Sequence, residues 1–264
     1  MRVHKIQRAV MTALSLLFLA LVTLLLGAAL LFRPEVDPRD GVETVSDWSM
    51  DGEDIRLPRS FSRLSPRTPL TLTARICPEP GDYLYIKAVY TPVRLYADGH
   101  LIFEYGQDGD FPAFLLDPPT KTALVPLPET GPEVTLTLEY LSPSQRDVAT
   151  LHPVLLGSPA QITARLFTEM GFSLFFSVFL LVLGMIMALV SLIFLRFGSS
   201  GTAFFWLGLF SLCTGAWSFG ECNLTGLLID NPPLLYLLAF LGLFTLAIPL
   251  LRFALVVLRP HARP

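Results

Sequence analysis

The stretch VRLYADGHLIFEYG, residues 93–106, sets the reading of this chain. Two runs rich in Val, Leu, Ile, Tyr and Phe flank Asp98-Gly99, and a tight two-residue turn needs the positive φ that glycine reaches without steric cost. The stretch reads as a β-hairpin. On either side of it lies period-2 alternation. In PLTLTARIC (69–77), Leu70, Leu72, Ala74 and Ile76 fall on one side and Thr71, Thr73 and Arg75 on the other. In EVTLTLEYL (133–141), Val134, Leu136, Leu138 and Tyr140 alternate with Thr135, Thr137 and Glu139. Half-buried strands of an antiparallel sheet show this pattern, because successive side chains point to opposite faces. Tyr83 to Val89, Ala123 to Leu127 and Thr150 to Leu156 are further strand candidates between proline- and glycine-rich turns. Short strands, frequent turns and no amphipathic helix predict an all-β sandwich over residues 33–157.

Outside that region the chain turns apolar. It is 52% hydrophobic and 16% charged over 264 residues, too apolar for one soluble globule. A membrane-crossing helix needs about 20 mostly apolar residues. Residues 9–32 qualify, without a charge and behind a basic leader (1–8) containing Arg2, Lys5 and Arg8. A cleaved signal peptide is the rival, with Gly27, Ala28 and Ala29 near a possible cut, but the apolar run exceeds the usual 7 to 15 residues, which favours an anchor. After the sandwich, Ser158, Pro159 and Gln161 carry the chemistry of a helix start: an N-cap hydroxyl, a proline at the first helical position and the far half of a capping box. A connecting helix (158–171) then runs into a span over 172–195, followed by spans over 202–220 and 234–258 and a tail (259–264), with Pro249 expected to bend the last span. The expected fold is thus a membrane protein whose β-sandwich is inserted between transmembrane helix 1 and a bundle of three further transmembrane helices.

Lys and Arg in short loops mark the cytoplasmic side. The leader, Arg196, and Arg259 with Arg263 in the tail lie on one side; the segment 221–233 has neither residue and carries Glu221 and Asp230. Both termini are expected in the cytoplasm and the β domain outside it. Between Arg33 and Phe167 there are 12 Lys+Arg against 19 Asp+Glu, and in the rest 7 against 3. An acidic outer domain argues against nucleic acid, which needs a basic face. The lipid bilayer is the expected partner.

Chemistry-bearing residues are sparse. The loop Tyr105 to Lys121 is long for a sheet connection, and long loops often carry binding. Trp48, Tyr105 and Phe111 offer flat apolar surfaces to a small-molecule or carbohydrate ligand, or else fill the core; Asp108 and Asp110 could hold a calcium ion or form a solvated turn. His100 and His152 stand alone and read as surface or hydrogen-bonded histidines. Cys77, Cys213 and Cys222 lack metal-ligand spacing and read as unpaired, a Cys77–Cys222 bridge being the alternative. Glu221 and Arg252 lie at or within apolar runs, where ionisable groups are costly and often functional unless they snorkel to the interface. Gly208, Ser211, Gly215 and Ser218 put small residues on one helix face, suited to close packing against another helix or a second subunit. Asn223-Leu224-Thr225 matches a glycosylation pattern of eukaryotic secretion and is discounted. No catalytic motif, cofactor loop or metal cluster is evident, so neither enzyme activity nor a cofactor is expected.

The runs at 83–106 (YLYIKAVYTPVRLYADGHLIFEYG), 122–128 (TALVPLP), 135–143 (TLTLEYLSP) and 154–160 (VLLGSPA), together with 215–253, resemble the seven-transmembrane receptor-like sensors of bacteria, in particular membrane-bound diguanylate cyclases. The resemblance implies an outer jelly-roll-like sandwich and membrane helices ahead of a cytoplasmic cyclase domain in cyclic-di-GMP signalling. Those sensors have about seven spans after the sandwich; here three follow, and no cyclase motif is present. The expected function is therefore a sensor input module in a bacterial membrane, working through a homodimer or a cytoplasmic signalling partner. A non-catalytic scaffold or transport-complex subunit, whose sandwich binds a partner protein, is the alternative.

Overall fold

A computed structural model describes residues 20, 23, 41–107, 109–128, 132–144, 146–195 and 201–258. The expected leader (1–8), helix 1 (9–32, but for two positions), Arg196, the tail (259–264) and Asp108 lie outside the described residues.

The alternation around residues 93–106 becomes antiparallel sheet. Strand β5 (Pro69–Ile76) buries Leu70, Leu72, Ala74 and Ile76 and exposes Thr71, Thr73 and Arg75. It pairs with β10 (Val134–Leu141) in the register Leu72↔Leu138 and Ala74↔Leu136, so the apolar sides of both strands coincide. A one-residue slip would turn every one of these side chains to water. Strands β7 (Val93–Ala97) and β8 (His100–Tyr105) form the hairpin, with Asp98 at φ 49° and Gly99 at φ 80°, positive at both central positions as a primed turn requires. The Asp98 carboxylate accepts from the Thr135 amide at 2.8 Å and ties the turn to β10.

Short strands that the alternation does not announce complete the sheets: β1 (Val42–Thr44), β2 (Trp48–Met50), β3 (Glu53–Ile55) and β4 (Arg59–Ser62). The six-stranded sheet has the order β3-β2-β5-β10-β7-β8. A four-stranded sheet, β1-β12-β6-β9, contains β6 (Tyr83–Ala88), β9 (Lys121–Pro126) and β12 (Leu155–Gly157), and β11 (Val148–Leu151) pairs with β4. The strand expected over Thr150 to Leu156 is therefore two strands belonging to different sheets. They separate around Pro153, which has no N–H for a ladder. One apolar core draws on both larger sheets, from Leu72, Leu95, Leu136 and Leu138 of one and Leu84, Ile86 and Val125 of the other, with Trp48 fully buried among them.

Immediately after β12 a 37-residue helix, α1 (Pro159–Leu195), begins. Its start has the reciprocal bonds of a capping box: the Gln161 amide donates to the Ser158 hydroxyl at 3.4 Å, and the Ser158 amide donates to Gln161 Oε1 at 3.3 Å. Then come α2 (Thr202–Glu221), a short α3 (Asn223–Leu228), α4 (Pro232–Thr245) and α5 (Ala247–Leu258). Pro249 cannot donate to the Thr245 carbonyl, and the last apolar stretch breaks at Leu246 into α4 and α5. Three described stretches, Pro159–Phe194, Thr202–Glu221 and Pro232–Leu258, are long and apolar enough to cross a membrane.

Glycines set the helix spacing. A Cβ added at Gly184 of α1 would stand 2.7 Å from the Gly208 carbonyl oxygen and 2.7 Å from the Leu212 nitrogen of α2. Gly208, Ser211 and Gly215 are buried on the α2 face that meets α1, and Ser218 is half-buried. Gly220 and Gly242 allow an equally close approach of α2 and α4, where a Cβ would meet the Leu235 oxygen at 2.5 Å and the Cys213 oxygen at 2.6 Å, respectively.

Candidate functional site

The β domain sits on the end of the helical bundle, and the joint has two parts. One is apolar: Val42, Tyr85 and Leu155 of the four-stranded sheet pack against Ile162 and Leu166 of α1 and against Cys222 and Leu224. Ile162 and Leu166 are four apart and therefore share one face of α1, the face turned to the sheet. The other part is polar. Strand β9 runs close to α3, with the Thr122 hydroxyl donating to the Asn223 carbonyl at 3.2 Å, and Lys121 forms an ion pair with Asp230. A Cβ on Gly226 would lie 2.5 Å from the Thr122 hydroxyl oxygen and would push that hydroxyl from its bond to Asn223.

Between these parts lies a cavity of about 250 Å³. Strand β6 brings Lys87 to it, and the residues just beyond bring Tyr90; the turn between β11 and β12 brings His152. From below, Glu221 ends α2, and Leu235 and Tyr236 come from the first turns of α4. Asn231 caps that helix by accepting from the Leu234 amide at 3.1 Å, which fixes how α4 presents them. Tyr90 and Tyr236 meet edge to face, ring centres 6.3 Å apart, and the Arg146 guanidinium lies 4.4 Å from the Tyr90 ring centre.

The electrostatics of the cavity follow from burial. Lys87 is half-buried, and loss of water lowers its pKa from the ordinary lysine value while the negative charge of Glu221 partly opposes the shift. His152 is lowered to about 4 by burial, and next by the positive charge of Lys87. At neutral pH it is an uncharged hydrogen-bonding ring. Burial raises the pKa of Tyr90, as does Glu221, and Arg146 opposes the shift. The site thus offers one ammonium, one carboxylate, neutral imidazole and phenol groups, and two aromatic faces.

Of the residues singled out in the sequence, His152, Glu221, Cys222 and Asn223 line this cavity. Trp48 is a core residue with no exposed surface, its indole donating to the Val45 carbonyl at 2.9 Å. Tyr105 is also buried, its hydroxyl donating to the Pro119 carbonyl at 2.9 Å. Phe111 is half-buried. The Asp110 carboxylate accepts from the amides of Gly106 and Gln107, both at 2.9 Å, and closes its own turn. Arg252 is exposed on α5, 5.9 Å from the Trp206 ring centre. His100 is exposed at the hairpin turn, and Asn223 is half-buried, its amide reaching the Met170 sulfur at 3.4 Å. Cys77, Cys213 and Cys222 are free thiols, the first exposed and the last buried. Lys87, Tyr90 and Tyr236 carry no local signal: each sits in an ordinary strand, turn or apolar helix, and only the fold brings them opposite Glu221.

No family model matches the chain, and no curated protein matches it. Among solved structures it is similar to the β-glucuronidase from Ruminococcus gnavus in complex with uronic deoxynojirimycin, at 8% identity over 45% of this chain and 29% of that one, with a TM-score of 0.32. It is similar also to the β-glucosidase from Kluyveromyces marxianus in complex with glucose, at 20% identity over 48% of this chain and 18% of that one, with a TM-score of 0.27. The chain spans less than a third of the length of either, and likeness at this level carries no argument about its activity.

Proposed function

We propose that the chain is the input module of a bacterial membrane receptor, with a jelly-roll-like sandwich outside the cytoplasm, an N-terminal anchor, three further spans and both termini inside. The observation that carries the reading is the single helix α1, which starts one residue after the last strand and continues through the whole of its apolar stretch. At 1.5 Å per residue its 37 residues extend about 55 Å, well beyond the roughly 30 Å of hydrocarbon. One rigid rod with Ile162 and Leu166 clamped by the sheet passes a displacement of the outer domain to its far end. A ligand acts on such a rod by binding one arrangement of sheet and helices better than another. The resemblance to membrane-bound diguanylate cyclases supports a cytoplasmic output in cyclic-di-GMP signalling, carried on another domain or chain.

Cys77 is exposed on the β domain and provides the test. In a Cys213→Ala/Cys222→Ala background, a membrane-impermeant maleimide should label Cys77 in intact spheroplasts as fully as in lysed ones. Labelling that requires lysis places the β domain inside and ends the receptor reading.

A further inference from the structure

The cavity at the joint has two opposite charges and no internal pair. Lys87 belongs to the β domain and Glu221 to the end of α2, and both line the space. They influence each other across it, yet the ion pairs formed among the described residues involve neither. A simple anion there would meet the Glu221 carboxylate, and a simple cation would meet the Lys87 ammonium. An apolar ligand would leave both charges desolvated without a partner, which is costly. A molecule bearing both signs satisfies both at once. The volume of about 250 Å³ falls below the roughly 300–1,000 Å³ usual for drug-sized ligands, so the occupant is small. Tyr90 and Tyr236 line the same space, and the neutral His152 can hydrogen-bond there without adding charge.

We propose that this cavity binds a small zwitterion, an anionic group and an ammonium joined by a short linker, with Lys87 holding the anion and Glu221 the ammonium. On the receptor reading, on which the biological consequence rests, the cavity lies level with lipid headgroups, because Glu221 ends one apolar helix and Pro232 begins the next. The same chemistry is therefore available from a free solute and from an aminophospholipid headgroup. Binding at this place would wedge the sheet against α2 and α4 and change how the β domain seats on the bundle.

Titration calorimetry of the full chain in maltoside micelles, with O-phosphoethanolamine as probe, tests the site itself. Saturable binding is expected, at least tenfold weaker in Lys87→Gln and in Glu221→Gln, since each removes a charge-assisted contact. Inorganic phosphate and ethanolamine, each with half of the charge pattern, should bind at least tenfold more weakly than the zwitterion. Lys87→Arg and Glu221→Asp keep the charges and should retain binding, which separates lost contacts from lost folding. Repeating the titration in nanodiscs of phosphatidylglycerol, with or without phosphatidylethanolamine, distinguishes the sources: suppression of probe binding by phosphatidylethanolamine assigns the headgroup, and unchanged binding assigns a free solute. The proposal is overturned if phosphate alone binds as tightly as the zwitterion, if both charge-removing variants bind like the wild type, or if the folded wild-type chain binds nothing in phosphatidylethanolamine-free discs. None of these outcomes alters the labelling of Cys77, so the site and the receptor orientation stand or fall separately.

Discussion

Two glycines on one helix should respond oppositely to the same substitution. At Gly184 an alanine methyl would stand 2.7 Å from the Gly208 oxygen, 2.7 Å from the Leu212 nitrogen and 2.9 Å from Leu212 Cγ. Two of these three atoms belong to the α2 backbone, so no side-chain rotation relieves the crowding; α1 and α2 must part by roughly the 0.8–1.3 Å that separates the 2.7 Å contacts from ordinary carbon packing at about 3.5–4.0 Å. Overpacking of this kind costs about 1–3 kcal/mol, and it also loosens the neighbouring small-residue contacts at Gly208 and Gly215. At Gly171 the methyl meets only the Phe167 side chain, at 3.3 Å, which can turn aside. There Gly→Ala should be neutral or stabilise by up to about 1 kcal/mol, the helix-propensity difference. The two variants should thus differ by about 1–4 kcal/mol, reading both effects together. Trp206 and Trp217 lie on α2 and make its detachment visible by fluorescence during unfolding in detergent. Equal stability of Gly184→Ala and Gly171→Ala, or a Gly184→Ala chain as stable as the wild type, would refute the close approach.

Further outcomes follow from buried polar groups. An unfolded chain titrates His152 near 6.5 whereas the folded one holds it to about 4, so only the unfolded chain takes up that proton between the two values. Its contribution to stability is complete above pH 6.5 and declines as the pH falls towards 4. The full shift would be worth about 3 kcal/mol, and screening of a half-exposed ring reduces this to about 1–2 kcal/mol. Urea unfolding of His152→Gln should show a correspondingly shallower loss over that range, and parallel curves for the two proteins would contradict the assignment. Tyr140 is fully buried and its hydroxyl has no hydrogen-bond partner among the described residues, so Tyr140→Phe should raise the stability of the β domain by about 1 kcal/mol. A measured loss of stability would mean that the hydroxyl is bonded. Ser158→Ala should cost about 1 kcal/mol through loss of the α1 cap, seen as earlier exchange of the Gln161 amide.

Local chemistry was readable wherever a strand or helix end carried its own pattern. The alternation in 69–76 and 134–141 needs nothing beyond the pleat to say which side chains face inward, and Asp98-Gly99 needs only the sterics of positive φ. The Ser158–Gln161 cap is likewise a contact three residues long. By contrast, β1 to β4 are three or four residues each, too short for a period to emerge, and they are strands because partners supply their ladders. Trp48 shows the same limit: its composition suits a ligand surface and a core equally, and the pairing of β2 with β5 placed it in the core.

What residue order alone determined is therefore the apolar lengths, the strand faces, the turn and the helix start, all of which depend on neighbours a few positions away. Tertiary structure decided the rest. It divided residues 148–157 between two sheets, set the glycine-limited spacing of the helices, and brought Lys87 and His152 opposite Glu221. A cavity shared by a strand, a turn and two helix ends has no periodicity to betray it, because its charges meet only after the sheet has been seated on the bundle.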